Sequence, residues 1–305
     1  MNKTAKKTKF AQAGILFTVI GGISWGFSGA CGQFLFQNYN VPSAWLSSAR
    51  MLFAGIILII FGFIKYKKRM LSIFKKPKDI LRLVLFSVFG LMFCQYAYMT
   101  AISYSNAGTA TVLQSLGPIF ITFTVCIRQK RPPRLKEAIA IVLALAGTFL
   151  LATHGNLSSL VITKEGLLFG LLAALGVSLY TLLSEKIVGE YGAGVVTGYG
   201  MLIGGIVLGT VTGSFKENVD LDASGILALL AIIIIGTVIA YTFYLQGVGM
   251  IGPVKASLIS SVEPVSAAVF AAIWLKTAFA PLDIAAFVMI LATVFILSER
   301  KPENV

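Results

Sequence analysis

Along this chain, apolar runs of about twenty residues alternate with short breaks rich in Lys, Arg, Gly, Pro and Asn. A helix of that length rises about 1.5 Å per residue and crosses a hydrocarbon layer of roughly 30 Å. The pattern predicts ten helices, over 11–34, 43–64, 81–102, 107–128, 136–154, 165–186, 194–213, 223–246, 253–275 and 283–299. Connections as short as Ser103 to Asn106 and Gly247 to Gly252 predict antiparallel hairpins. No stretch remains for a soluble domain.

Composition agrees with the pattern: 57% of the residues are hydrophobic and 12% are charged, too few to cover a water-facing surface. The lipid bilayer is therefore the expected solvent. The net charge of +13 would suggest nucleic acid in a soluble protein. Here the cations sit in blocks between apolar runs, such as Lys65, Lys67, Lys68, Arg69, Lys75, Lys76 and Lys78, and no basic face interleaved with aromatics emerges. No nucleic-acid partner is expected. With the N-terminus inside, the tails and even-numbered loops carry 21 Lys and Arg, against Lys164, Lys216 and Lys276 on the other side. The positive-inside bias then predicts a multi-pass protein of the cell membrane with both termini cytoplasmic. Cys31, Cys94 and Cys126 fall inside apolar runs without metal-ligand spacing, which suits packing. The basic start and Ser28-Gly29-Ala30-Cys31 are superficially like an export signal, but the run to Phe34 is long for one and is read as the first helix.

An ungapped internal repeat appears at an offset of 146 residues: Tyr98 pairs with Tyr244, Ala110 with Ala256, Ser115 with Ser261, Pro118 with Pro264, and Lys130 with Lys276. The match continues through Val142 and Val288, Leu145 and Leu291, and Phe149 and Phe295. Met51-Leu52-Phe53-Ala54-Gly55-Ile56 echoes Met201-Leu202-Ile203-Gly204-Gly205-Ile206 at a slightly different offset. The repeat divides the chain into 1–153 and 154–305, each with five predicted helices. An odd number forces the second copy to enter the membrane from the opposite side. The expected fold is an all-α membrane protein of ten transmembrane helices in two inverted five-helix repeats, an arrangement that can expose a central site to either face in turn.

These residues resemble the EamA-type branch of the drug/metabolite transporter superfamily along almost the whole chain. The likeness rests on Trp25-Gly26, Pro42 followed by Arg50-Met51-Leu52, the stretch from Ala101 to Pro118, and Glu263-Pro264. The turn after the fourth and ninth helices departs from the family, reading Lys130-Arg131 and Lys276-Thr277 where Gly-Glu is common. The resemblance implies a carrier of small organic metabolites, often an exporter of amino acids or related compounds.

Ionisable groups inside a bilayer are costly and normally pair or face a water-filled cavity. Glu263 lies roughly 15 Å along a helix starting at Pro253, and Arg50 roughly 10 Å from Ser43, by the helical rise. Glu263 is expected to be an essential cavity group and a site of proton coupling; the bland alternative is a Glu that bonds backbone freed by its neighbouring Pro or seals a helix contact. Arg50 is a cavity group or a structural, snorkelling cation. Pro118 and Pro264 cannot donate to the carbonyls of Gln114 and Ser260, which become candidate ligands or simple kinks. Tyr96, Tyr98, Tyr180, Tyr241 and Tyr244, with Trp25 and Gln246, are candidate cavity walls, although each alone also suits packing. Trp45 and Trp274 at outer helix ends fit an interfacial belt, and the glycines at 194, 198, 205, 209 and 213 fit close helix packing. The cavity candidates are Trp25, Arg50, Tyr98, Gln114, Tyr180, Tyr244, Ser260 and Glu263. An enzyme is not expected: His154 is the single histidine, and no nucleophile motif, metal spacing or close carboxylate pair stands beside it. No cofactor is implied. The partners implied are lipid, a small-molecule substrate and protons as coupling ion, with a channel or receptor as the competing reading.

Overall fold

The computed structural model describes residues 3–156, 160–251, 256 and 259–298 of the chain. They form α1 (Lys3–Asn38), α2 (Ser43–Tyr66), α3 (Pro77–Tyr104), α4 (Ala107–Arg128), α5 (Leu135–Thr153), α6 (Lys164–Tyr191), α7 (Ala193–Val211), α8 (Ala223–Ile251), α9 (Val262–Ile273) and α10 (Pro281–Ser298). Among the described residues α1 to α8 contain eight stretches long and apolar enough to cross a membrane, and α9 and α10 are shorter apolar helices. The start of the ninth predicted helix at Pro253 and the end of the tenth at 299 lie outside the described residues.

Several helices overrun their predicted ends. α3 begins at Pro77, which suits the first helical turn because its missing N–H would be unpaired there. α6 continues past Glu185 and Lys186 to Tyr191 and stops at Gly192, whose φ of 88° only glycine adopts freely. Charge at the membrane surface does not end a helix; a left-handed residue does. Gly247, expected in a turn, instead lies within α8, packed against Gly14 and Thr18 of α1.

α1 packs on α8 and α9, α6 on α3 and α4, α2 on α7, and α5 on α10. Each pairing recurs when the halves are exchanged, as 1↔6, 2↔7, 3↔8, 4↔9 and 5↔10. At the α2–α7 crossing, a Cβ on Gly55 would lie 2.5 Å from the Leu202 nitrogen and one on Gly205 2.6 Å from the Leu52 nitrogen. The contact is reciprocal, and because 52 meets 205 while 55 meets 202, the helices run antiparallel. Two tyrosine–aspartate clasps repeat the symmetry. Tyr39 after α1 donates to Asp222 before α8 at 2.5 Å, and Tyr191 at the end of α6 donates to Asp79 at the start of α3 at 2.8 Å. Lys76 pairs with Glu190 beside the second clasp, which marks that end of the bundle as the lysine-rich one.

α4 is interrupted: its helix stops at Gln114 and resumes at Gly117. At the equivalent point of the second half, Ser261 is a turn between helical Ser260 and Val262. Lys130 and Lys276, where the family resemblance expects Gly, both carry left-handed backbone, with φ of 48° and 55°. Arg131 pairs with buried Glu137 in the following helix at 2.8 Å. The three cysteines are buried and free. Large apolar side chains such as Phe61, Ile64, Phe89, Phe123 and Val211 cover the outer surface, as lipid contact requires.

Candidate functional site

A cavity of about 560 Å³ lies between the halves, and its wall follows helical spacing. α3 contributes Leu91, Cys94, Gln95 and Tyr98, and α8 contributes Tyr241, Tyr244, Leu245 and Val248. Each set is spaced i, i+3, i+4, i+7, one face of a helix. All eight candidates, Trp25, Arg50, Tyr98, Gln114, Tyr180, Tyr244, Ser260 and Glu263, line this one space. Tyr96 and Gln246 do not. Each lies two positions from a lining tyrosine, hence on the far side of its helix. Tyr96 packs edge-on against Phe169 at 6.3 Å, and Gln246 is exposed on the outside of the bundle.

The aromatic wall is built by Trp25, which meets Tyr241 and Tyr244 at ring separations of 5.1 Å each. Tyr98 hydrogen-bonds Thr111 across the α3–α4 hairpin at 2.9 Å. Gln114, at the break in α4, donates to the Cys94 sulfur at 3.5 Å. Ser178 of α6 donates to the Gly117 carbonyl at 2.8 Å, and Ser266 donates to the Glu263 carbonyl at 2.8 Å. The two broken helices are thus tied off at equivalent carbonyls, since 117 and 263 differ by the repeat offset.

Two ionisable groups, Arg50 and Glu263, share the cavity. Arg50 is 3% exposed; its Nε donates to Thr237 Oγ1 at 2.9 Å and its Nη2 to the Gly236 carbonyl at 3.3 Å. Its Nη1 is buried and has no hydrogen-bond partner among the described residues. The Glu263 carboxyl makes no hydrogen bond or ion pair among the described residues, so it shares the cavity with Arg50 without forming a salt bridge. The α8 backbone and Thr237 hold the guanidinium. Neither group is duplicated in the other half. Glu263 corresponds to Gly117, and Arg50, preceding Met51, corresponds to Gly200, preceding Met201.

The cavity reaches the lysine-rich end, where Ser184, Val188 and Ala193 line it. Toward the other end the helices close. Gln33, 2% exposed, donates to Thr277 at 2.8 Å and accepts from the Ala107 nitrogen at 2.8 Å, joining α1, α4 and the turn after α9. Trp274, expected only as an interfacial anchor, stacks on Phe34 at 5.3 Å and extends this seal. His154 pairs with Asp283 at 2.7 Å, tying α5 to α10 away from the cavity. Among the described residues no three His, Cys, Asp or Glu side chains converge as metal ligands. Gln33, Gln95 and Thr237 escaped sequence reasoning because an isolated neutral polar residue in an apolar run has no distinguishing signal.

A bundle of lipid-facing apolar helices around a cavity with buried charges is the architecture of a multi-pass membrane transport protein. The chain belongs to the EamA-like transporter family, whose model matches residues 12–153 and again 164–299. It is 36% identical over 289 residues to YicL, an uncharacterized inner membrane transporter of Salmonella typhimurium, covering 94% of this chain and 95% of that one. It is 24% identical over 278 residues to YcbK, an uncharacterized transporter of Bacillus subtilis, covering 88% and 87%. A crystal structure 19% identical in sequence superposes over 96% of both chains with a TM-score of 0.59, a likeness of fold.

Proposed function

We propose that this protein is a secondary transporter that exports a small zwitterionic metabolite, an amino acid or related compound, by alternating access. One observation carries the reading: a cavity of about 560 Å³ holds a buried arginine with an unpaired donor and a carboxyl group, neither partnered among the described residues, and it reaches one end of the bundle only. The free Arg50 donor suits a cargo carboxylate, and Glu263 suits a cargo ammonium or a proton. The aromatic wall of Trp25, Tyr98, Tyr180 and Tyr244 suits the apolar remainder, while Gln114 and Ser260 at the helix breaks offer polar contacts.

The reciprocal α2–α7 contact and the two tyrosine–aspartate clasps support two inverted five-helix repeats, 1–153 and 154–305, in ten membrane-crossing helices. An antiparallel pair related by a two-fold has its axis across the helices, hence in the membrane plane. The name of the Salmonella relative supports placement in the inner membrane, and the positive-inside bias supports cytoplasmic termini. In that orientation the cavity faces the cytoplasm and the Gln33 seal faces outward. The family resemblance favours export, and the seal argues against a continuous pore.

Untargeted metabolite profiling of cells and medium, with and without the protein, tests the reading. An amino-acid-like compound should gather in the medium of expressing cells. Depletion of such a compound from the medium would reverse the direction, and unchanged profiles with abundant membrane-inserted protein would reject the function.

A further inference from the structure

Both halves contain a π-helical segment, Phe86–Met92 in α3 and Ile234–Ile239 in α8. Gly90 and Gly236 within them are separated by the repeat offset. A π segment widens the turn and displaces backbone groups from their usual partners, and such segments recur at functional sites. The two have the same packing but different chemistry. Gly90 presses on the α6 backbone, where a Cβ would lie 2.8 Å from Tyr180 Cα; Gly236 presses on α1, where a Cβ would lie 2.1 Å from Ser28 Cβ. In α3 the position after the glycine is Leu91, and the ring of Phe86 occupies the space beside Gly200, so a Cβ there would meet it at 2.6 Å. In α8 the position after the glycine is Thr237, and Arg50 stands where the other half has Gly200. One π segment is filled with hydrocarbon and the other receives a cation.

The polar socket is specific in its hydrogen bonds. Thr237, fully buried, donates from Oγ1 to the Ile232 carbonyl five residues back at 2.9 Å. That leaves its oxygen lone pairs for Arg50 Nε, while the Gly236 carbonyl takes Nη2. Among the described residues the one guanidinium nitrogen that the socket leaves unpartnered is Nη1, itself buried, on a residue that lines the cavity. We propose that Thr237, with the Gly236 carbonyl, is a positioning residue that holds Arg50 by Nε and Nη2 and so presents Nη1 to the carboxylate of the cargo. The inference rests on the reading of Arg50 as a cargo ligand. Its physical basis is preorganisation: an arginine side chain free to rotate loses entropy on binding an anion, and a clamped one has already lost it.

The test uses full-length protein in proteoliposomes. The probe is a mixture of proteinogenic L-amino acids against the matched mixture of their C-terminal amides, with uptake of each measured by mass spectrometry. Wild type should prefer carboxylates by about tenfold, the scale of one charge-assisted hydrogen bond. Thr237→Val should reduce that preference to near parity, and Thr237→Ser, which keeps the hydroxyl, should hold it within about twofold of wild type. Thr237→Ala carries the same prediction as valine should the valine variant fail to insert. An unchanged preference in Thr237→Val or Thr237→Ala, with Arg50→Gln at parity, overturns the positioning role and leaves Arg50 as the ligand. An unchanged preference in Arg50→Gln as well, or none in the wild type, overturns the cargo reading and the proposal with it.

Discussion

The α2–α7 crossing is the tightest test of the packing, because backbone opposes backbone there. In Gly55→Ala the new Cβ would lie 2.5 Å from the Leu202 nitrogen, 2.8 Å from its Cα and 3.0 Å from its Cβ. Ordinary contacts lie at about 3.5 Å or more, so the helices must part by about 1 Å, and a gap of that size forfeits up to half the dispersion energy of the neighbouring contacts. Overpacking costs about 1–3 kcal/mol, and we expect the upper part of that range because no flexible side chain can yield. Gly205→Ala should cost about the same, by the reciprocal contact. Once the helices have parted for one methyl they accommodate the second, so the double variant should fall short of additivity by about 1 kcal/mol. Gly189 supplies the control: its Cβ direction is open, so Gly189→Ala should be neutral or up to about 1 kcal/mol stabilising through helix propensity. The assay is reversible unfolding in mixed micelles of increasing SDS fraction, followed by tryptophan fluorescence. A Gly55→Ala midpoint equal to wild type, or strict additivity in the double variant, would refute the reciprocal crossing.

Three further outcomes follow from the same geometry. Glu263→Gln, checked for folding, should lose pH-driven accumulation while keeping cargo exchange; unchanged accumulation would remove Glu263 from coupling. In a cysteine-free background, Lys75→Cys should be unreactive toward an impermeant maleimide added outside intact cells and reactive after lysis; outside labelling would invert the assigned orientation. Tyr39, Ser224 and the Gly225 nitrogen hold the Asp222 carboxyl down at about 2, so the outer clasp is intact at neutral pH and is lost only as pH falls through that value. Tyr39→Phe should bring the titration of Asp222 back toward about 3.9, read by carbon-13 NMR of labelled aspartate, and an unmoved value would mean that the tyrosine does not engage the carboxylate.

The membrane spans and the cavity candidates could be read from sequence because a bilayer allows few solutions: apolar length marks a span, and a charge or proline within it marks a cost. Pro118 and Pro264 therefore marked the two interrupted helices, whose breaks begin three residues earlier, at Ser115 and Ser261. Helix ends were harder, since Glu185 and Lys186 resembled a boundary although the helix runs on to Gly192. Tyr96 and Gln246 stayed open between cavity wall and packing because aromatic or polar character alone does not say which face a residue occupies; counting from Tyr98 and Tyr244 places both outside. The π segments have no sequence signature, since Phe86–Met92 and Ile234–Ile239 are ordinary apolar stretches. The Arg50 socket was invisible for that reason. Thr237 becomes meaningful only once the widened turn brings it against an arginine 187 residues away.

The central claim is a carrier whose cavity opens to one side at a time, and counterflow tests it most directly. Proteoliposomes loaded with a concentrated unlabelled amino-acid mixture are diluted into medium containing a trace of the same mixture in labelled form. A carrier predicts transient accumulation of label above equilibrium, saturable in external substrate and lost in Arg50→Gln. Label that rises monotonically to equilibrium, with a rate linear in concentration, would identify a pore and contradict the account.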